Sequence, residues 1–194
     1  MMMQLYSLLA MLFILSGCGV QKRVVSPVRT VHPITSRAPV PDNSIKKHYL
    51  SAVNRMRSET RQCGNRIYRS AKPLRWNESL YKAAYEHSKD MAQCSHFSHN
   101  GSGTQSDRTS KVQNLQRCST FVNRIEHNGY LGHLGVSENI AYGATSVEGV
   151  MQQWIASEGH CRNIMNPKYT EFGMAQVRSQ NGVTYWTQNF GTRQ

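Results

Sequence analysis

The sequence lacks several features that would assign a function at once. Its longest apolar run, Leu5–Leu15, is shorter than the about 20 residues that cross a bilayer. It has no Cys-x-x-Cys pair and no Gly-x-Ser-x-Gly motif, which argues against a zinc ribbon and a serine hydrolase. Internal repeats and nucleic-acid-binding motifs are also missing. Acidic residues are few, 11 against 23 Lys and Arg, so the net charge is +12.

The N-terminal stretch is typical of an exported protein. The apolar run fits the core of a signal peptide over residues 1–17, although no Lys or Arg precedes it. The next letters, LSGC, resemble the lipobox of bacterial lipoproteins, which predicts lipid on Cys18 and attachment to a membrane. Gly19 in place of Asp favours the outer membrane of a Gram-negative cell envelope. An ordinary signal peptide followed by a chance cysteine is the alternative.

Residues 18–43 are predicted to form a tether that precedes a domain over residues 44–194. The tether holds four of the six prolines and shows no apolar periodicity, so it should stay extended and solvated. A short ordered arm packed on the domain is the alternative. The domain keeps a strongly basic balance, which favours anionic envelope polymers or lipid headgroups as partners rather than nucleic acid. A charge that only keeps the protein soluble is the alternative.

Periodicity predicts both helices and strands in the domain. One helix is capped within residues 42–44, a second follows Asn77, a third spans about Thr109–His127, and a fourth begins near Ser146. The runs EFGMAQVR and VTYWTQNFG are joined by Ser-Gln-Asn-Gly, a strong hairpin signal. With at least one further strand, this order predicts an α+β fold of packed layers.

Several motifs, in order, resemble the CAP superfamily of cysteine-rich secretory, antigen 5 and pathogenesis-related proteins, in particular its bacterial branch. They are LRWNESLYKAAYEHSKDMA, FSHNG, NGYLG, SENIAYG, VMQQWIASEGHCRNIMNPKYTEFGMAQV and YWTQNFG. The resemblance covers roughly Ser44–Gly191 and implies an α-β-α sandwich around a small antiparallel sheet.

The family's cleft usually carries two histidines and two acidic residues. Carried over by motif, these are His99 of FSH, Glu138 of SENIA and His160 of EGH. The second acidic position corresponds here to Ser157, with Glu158 beside it as a further cleft candidate. Elsewhere, His87 lies on the apolar stripe of the second helix and is predicted to be a core histidine.

The implied site suits more than one chemistry. His99, His160 and Glu138 are a ligand set for Zn²⁺ or another divalent cation. The favoured interpretation is a cleft that binds a lipid, peptide or glycan, because the acid/base set is incomplete and no nucleophile is evident. The alternatives are a metal-assisted hydrolase of an envelope polymer or peptide, and a His/Glu cluster that only fixes the cleft.

The cysteines other than Cys18 form an even set, as in exported proteins with disulfides. Four cysteines allow three pairings. The predicted pairs are Cys63–Cys161, which would tie the first helix to the edge of the cleft, and Cys94–Cys118, which would pin the segment after the second helix. One disulfide with two free thiols is the alternative.

Overall fold

The computed structural model describes residues 37–194. The predicted signal peptide, Cys18 and the tether before Arg37 lie outside the described residues. The described residues form these elements, in chain order: α1 (Asn43–Arg57), β1 (Arg61–Cys63), β2 (Arg66–Tyr68), β3 (Arg75–Trp76), α2 (Glu78–Cys94), α3 (Arg108–Val112), α4 (Phe121–His127), β4 (His133–Tyr142), α5 (Val147–Ala156), α6 (Glu158–Met165), β5 (Glu171–Arg178) and β6 (Thr184–Arg193).

A four-stranded sheet in the order β3-β5-β6-β4 runs through the domain. β5 and β6 form the predicted antiparallel hairpin, β4 pairs antiparallel with β6 at one edge, and the short β3 pairs parallel with β5 at the other. β1 and β2 form a separate two-stranded hairpin that the periodicity did not predict. The antiparallel part of the sheet therefore leaves β4 as an edge strand.

Alternating side chains of β5 and β6 give the sheet two buried faces. Phe172 and Phe190 pack with α1, α5 and α6 in the largest apolar cluster. Ala175 and Tyr185 belong to clusters on the other face, which α2 covers. Residues of opposite parity on a strand point to opposite sides of a sheet, so the sheet lies between two helical layers. The predicted α-β-α sandwich is confirmed.

Two predicted helices have the expected starts. The Asp42 side chain accepts a hydrogen bond from the Ser44 backbone at the start of α1. The Asn77 side chain accepts from the backbone nitrogens of Ser79 and Leu80 at the start of α2. Each side chain satisfies backbone donors that a helix leaves free at its first turn.

The predicted third helix is wrong, because Thr109–His127 is divided between α3 and α4. Asn114 takes a left-handed backbone conformation (φ 49°) just after α3. Thr120 then starts α4 anew through a capping box with Asn123. Local side-chain bonds to the backbone thus interrupt a pattern whose apolar spacing alone fits one helix.

The end of the predicted tether also differs from expectation. Pro41 is buried, and the Tyr81 hydroxyl donates a hydrogen bond of 3.0 Å to the Pro39 carbonyl. Ala38, Pro39 and Pro41 therefore contact the domain, whereas Arg37 and Val40 remain exposed to solvent. Among the described helices, none combines the length and apolarity that crossing a bilayer requires.

Candidate functional site

Glu138 is the centre of a buried polar cluster on the edge strand β4. Its side chain is 1% exposed and lies on the same side of the sheet as Ile140, which packs against α2. A buried carboxylate requires a cation or several hydrogen-bond donors, because removing a charge from water costs several kcal/mol. Its neighbours on α2, α4 and the loop after α2 supply both.

Arg124 of α4 neutralises this carboxylate. One of its terminal nitrogens, Nη2, donates to both oxygens of Glu138, at 2.9 and 3.2 Å, and to the His99 carbonyl at 2.8 Å. Its other terminal nitrogen donates to Ser119. Burial alone would raise the pKa of Glu138, but the charge of Arg124 and hydrogen bonds from His99 and Arg124 lower the pKa to about 2. Glu138 is therefore ionised at neutral pH.

His99 joins the buried cluster to solvent. Its Nδ1 lies 3.0 Å from a Glu138 oxygen, while its side chain is 52% exposed. Because an ionised carboxylate only accepts hydrogen bonds, Nδ1 carries the proton and donates. In the described part of the chain, Nε2 of His99 forms no hydrogen bond, which leaves its lone pair for a ligand. A carboxylate that fixes a histidine tautomer in this way is common in metal sites and in catalytic sites.

His87 of α2 is fully buried next to Glu138, as predicted for a core histidine. Its Nε2 donates to the Ser98 carbonyl at 2.8 Å. Burial lowers the pKa of His87 to about 4, so the ring is neutral at pH 7 and its 3.8 Å approach to Glu138 is not an ion pair. His87 and Arg124 therefore hold the backbone of Ser98 and His99 in place.

His160 reaches the site from the other layer, on α6. The Asn139 side chain donates to the His160 carbonyl at 3.2 Å, and the Asn163 side chain donates to Asn139 at 2.8 Å. These amides attach α6 to β4 next to Glu138. Burial, followed by the proximity of His99, lowers the pKa of His160.

An open cleft of about 670 Å³ brings the three predicted residues together: His99, Glu138 and His160 all line it. The hairpin β1–β2 contributes Arg66 and Tyr68 to its wall. The remaining lining residues belong to α6 and to the loop after it, namely Gly159, Arg162, Asn163, Asn166, Pro167 and Lys168.

The walls of the cleft are tied to the core by two strong connections. The predicted disulfide between Cys63 and Cys161 is present and joins the β1–β2 hairpin to α6. Arg57, fully buried at the end of α1, donates to the carbonyls of Ile164 (2.6 Å), Asn166 (3.0 Å) and Tyr169 (3.3 Å). Burial lowers its pKa to about 10, so Arg57 remains a cation at neutral pH.

Glu158 does not take the place of the missing second acid. It is absent from the cleft lining and is exposed, with its carboxylate beside Gly64 of the β1–β2 turn. It also lies 3.9 Å from Arg162, one helical turn ahead. The prediction of Glu158 as a cleft residue is therefore wrong, because the first turn of α6 directs it to the hairpin.

The predicted metal ligands do not fit a metal in this arrangement. Both oxygens of Glu138 accept hydrogen bonds from Arg124, and one also accepts from His99 Nδ1. Within residues 37–194, no group of three His, Cys, Asp or Glu side chains is placed to hold an ion. A divalent cation could bind Glu138 only by displacing a buried guanidinium, so Glu138 is corrected from a metal ligand to the hydrogen-bond partner that orients His99.

The predicted Cys94–Cys118 bridge is also absent, and both residues are free thiols. The Cys94 sulfur instead contacts the hydroxyls of Thr104 (3.1 Å) and Ser106 (3.0 Å). Gly103, in the same loop, lies beside Cys118. The loop thus bonds to Cys94 and lies next to Cys118.

Sequence reasoning missed Arg124, although a signal for it was present. Arg124 lies beside Ile125 and three residues after Phe121, on the apolar side of α4. A charged residue on an apolar stripe needs a buried partner. Glu138, an acid within the apolar SENIA strand, was a suitable partner. A cation on an apolar helix face and an acid in an apolar strand together indicate the pair.

The chain is similar in sequence to one protein family and to two curated bacterial proteins. A profile described as the cysteine-rich secretory protein (CAP) family matches residues 50–190. Among curated proteins, the uncharacterized protein YkwD of Bacillus subtilis is 30% identical over 156 residues, which is 80% of this chain and 50% of YkwD. The uncharacterized membrane protein YlbC of the same organism is 29% identical over 64% of this chain and 30% of YlbC. The chain therefore spans half or less of the length of these relatives.

Solved structures share the architecture. An extracellular SCP-domain protein from Bacillus anthracis aligns with a TM-score of 0.56 at 24% identity, over 81% of this chain and 45% of that one. An outer surface protein from Borrelia burgdorferi aligns with a TM-score of 0.57 at 16% identity, over 82% of this chain and 100% of that one. At these identities the likeness extends to the fold alone.

Proposed function

Because the chain belongs to the cysteine-rich secretory protein (CAP) family, we propose that it is a lipid-anchored envelope protein whose cleft binds a ligand at His99, Glu138 and His160. The observation that carries this proposal is the buried Glu138 carboxylate, which fixes the His99 tautomer beneath an open cleft of about 670 Å³. Protein sites for small organic ligands have volumes of about 300–1,000 Å³. The ligand classes considered are a lipid, a peptide and a glycan.

The charge state of the site favours binding over acid/base catalysis by Glu138. Its carboxylate is bound by Arg124 and its pKa is depressed to about 2, so it neither donates nor accepts a proton readily at neutral pH. Glu138 instead orients His99. No nucleophilic Ser or Cys lines the described cleft, and Cys161 is in a disulfide.

Calorimetric titration of the mature protein tests the binding proposal. The probes are a lysophospholipid, a short peptide and a chitooligosaccharide, one for each ligand class. At least one should bind, and His99→Ala and His160→Ala should each weaken binding about tenfold. His96→Ala is the matched control, because His96 is exposed on the same loop but does not line the cleft. Equal affinities for all four proteins would refute the proposal.

Hydrolysis is a second candidate, favoured by one observation. The hydrogen bond from Nδ1 to Glu138 leaves Nε2 of His99 as a potential general base facing the cleft. In this scheme a ligand in the cleft is attacked by a water that His99 deprotonates. Mass spectrometry of the three probes after incubation detects products. Turnover that His99→Ala abolishes would replace the binding proposal with this one.

Lipid anchoring rests on the N-terminal sequence, with support from the oxidised cysteines. The Cys63–Cys161 disulfide favours an oxidising, exported location. The LSGC motif supports attachment through Cys18, and Gly19 favours the outer membrane of a Gram-negative host.

Cys18→Ser should shift the protein from the membrane fraction to the soluble fraction or leave an unprocessed precursor. Identical fractionation, with no acyl mass on the N-terminal peptide, would refute the anchor.

A further inference from the structure

We infer that the ligand of the cleft is a hydrophilic chain bearing acidic groups, phosphate or carboxylate, bound by Arg66, Arg162 and Lys168. This inference rests on the proposed function and narrows its ligand class. The three cations come from three different parts of the wall: β2, α6 and the loop after α6. All three are exposed to solvent at the cleft.

These cations are largely free of competing carboxylates. In the described residues, Arg66 and Lys168 take part in no ion pair. Arg162 has only Glu158 at 3.9 Å, an exposed pair of the kind that contributes at most about 1 kcal/mol. A ligand anion displaces such a partner at little cost.

The single carboxylate among the described lining residues does not reduce this positive charge. Glu138 is already neutralised by Arg124, which is buried behind it. The bottom of the cleft, formed by Glu138 with Arg124 behind it, therefore carries no net negative charge. The wall of the cleft carries three cations. A cleft lined by charge of one sign concentrates ligands of the opposite sign. Guanidinium groups in addition bind phosphate and carboxylate oxygens through two parallel hydrogen bonds.

The same lining argues against a lipid. It includes no Leu, Ile, Val, Met or Phe, and its larger apolar surfaces are only the Tyr68 ring and Pro167. An acyl chain would find no apolar wall there. The amides of Asn163 and Asn166 instead offer hydrogen bonds to a polar ligand.

The size of the cleft argues for a chain rather than a single small anion. A volume of about 670 Å³ accommodates several chemical groups at once. The Arg66 guanidinium lies 5.4 Å from the centre of the Tyr68 ring, so a cation and an aromatic face are adjacent on the hairpin wall. Such a pair suits a chain in which acidic groups alternate with sugar or polyol units.

The test measures binding of the mature protein to five probes by calorimetry. A glycerol phosphate oligomer and an oligogalacturonate represent the phosphate and carboxylate forms of the ligand. Chitotetraose is the uncharged chain, phosphatidylglycerol vesicles are the anionic membrane, and inorganic phosphate is the isolated anion. The cleft variant is a triple variant that combines Arg66→Gln, Arg162→Gln and Lys168→Gln. The control, Lys82→Gln, Lys111→Gln, Arg117→Gln, loses the same charge from exposed sites outside the cleft.

The inference predicts that an acidic oligomer binds and that higher salt weakens its binding. The cleft variant should lose affinity by about tenfold or more, whereas the control should stay within about twofold. His99→Ala should also weaken binding. Equal losses in the two triple variants would overturn the inference, because the attraction would then come from the overall charge. Vesicles or phosphate that bind as well as the oligomers would overturn it too.

The same titrations separate this inference from the proposed function. If only chitotetraose binds, and His99→Ala weakens that binding, the cleft is a ligand site but the inference about acidic groups is wrong. If neither His99→Ala nor the cleft variant changes the binding of any probe, both proposals fail.

Discussion

At the scale of single residues, the pair formed by Arg124 and Glu138 organises the site. It joins α4 to β4, and through the His99 carbonyl and imidazole it also fixes the loop after α2. A buried ion pair of this kind contributes little compared with an apolar pair, but leaving one member alone is costly. Its role is therefore to position His99.

Arg124→Ala tests this role by leaving Glu138 buried without its cation. The free energy of unfolding should fall by about 3–5 kcal/mol in chemical denaturation. Adding Glu138→Gln to this variant should recover part of the loss, since the unpaired charge is removed. Arg117→Ala, at an exposed arginine outside the buried cluster, should change stability by no more than about 0.5 kcal/mol. A loss below about 1 kcal/mol for Arg124→Ala would contradict the assigned role.

His87 should make the domain sensitive to mild acid. Its pKa is 6.5 when unfolded and about 4 when folded, so between these values the unfolded chain binds more protons. Stability is therefore complete above pH 6.5 and is lost as the pH falls towards 4, by about 3 kcal/mol. The depressed pKa of His160 acts in the same direction. The depressed pKa of Glu138 adds a further loss between pH 4.5 and about 2.

Denaturation at a series of pH values measures this dependence. His87→Gln should remove most of the change between pH 6.5 and 4.5 while keeping the loss at lower pH that belongs to Glu138. An unchanged slope in the variant would show that His87 is not the titrating group.

The sequence predicted His99, Glu138 and His160 because each belongs to a motif that resembles the CAP family. Arg124 was not predicted, because its signal was a charged residue on an apolar helix face rather than a motif, and its partner Glu138 lies 14 residues away. Glu158 was predicted wrongly because it was chosen only as the neighbour of Ser157, the position of the family's second acid. Successive residues of a helix differ in direction by about 100°, so a neighbouring side chain faces a different way.

At the scale of elements, the approach of α2 to β5 depends on a glycine. A Cβ atom added to Gly173 would lie 2.1 Å from the Tyr81 nitrogen and 2.5 Å from the Leu80 carbonyl carbon. Both neighbours are backbone atoms in the first turns of α2, so neither can rotate away. The contact fixes the distance between the helix and the sheet on the side that carries the buried cluster.

Gly173→Ala should therefore destabilise the domain by about 3 kcal/mol or more, as measured by thermal or chemical unfolding. Gly135→Ala is the matched control, because it also lies in a strand of the sheet but has no atom within 4 Å of the added carbon. The control should change stability by less than about 1 kcal/mol. Similar stabilities for the two variants would show that α2 can move away from the sheet.

The Cys63–Cys161 disulfide connects residues 98 positions apart and holds the hairpin wall of the cleft. Replacing both cysteines with alanine should cost about 4–5 kcal/mol, because the unfolded chain regains the freedom that a long closed loop removes. Hydrogen exchange should then increase over residues 61–68. Replacing Cys94 and Cys118 with alanine is the control and should leave that exchange unchanged. Unchanged exchange in the Cys63, Cys161 variant would contradict the role of the bridge.

Elements were predictable where one strong local signal decides them. Asn-Gly predicted the β5–β6 hairpin, and Asn77 predicted the start of α2. The division of Thr109–His127 was not predictable from apolar spacing, because the cap at Thr120 and the left-handed Asn114 decide it. The helix α6 was missed since it is only eight residues long and contains Gly159 near its start.

At the scale of the whole domain, the cleft forms where the two helical layers meet at the edge of the sheet. Glu138 and His99 belong to the side covered by α2 and α4, and His160 belongs to α6 in the opposite layer. The edge strand β4 allows the two layers to approach each other around it. The layered architecture was predictable from the motif order. The cluster of cations on the cleft wall was not, because Arg66 is distant in the sequence from Arg162 and Lys168 and only the fold brings it to them.

The central claim is that the cleft around His99, Glu138 and His160 is a ligand-binding site. A crystal structure of the mature protein with its tightest-binding probe tests this claim most directly. We predict electron density for the probe between the β1–β2 hairpin and the loop at residues 166–168, in contact with His99 and His160. The Arg124–Glu138 pair should remain intact beneath it. A probe bound elsewhere on the domain, with the cleft unchanged, would contradict the account.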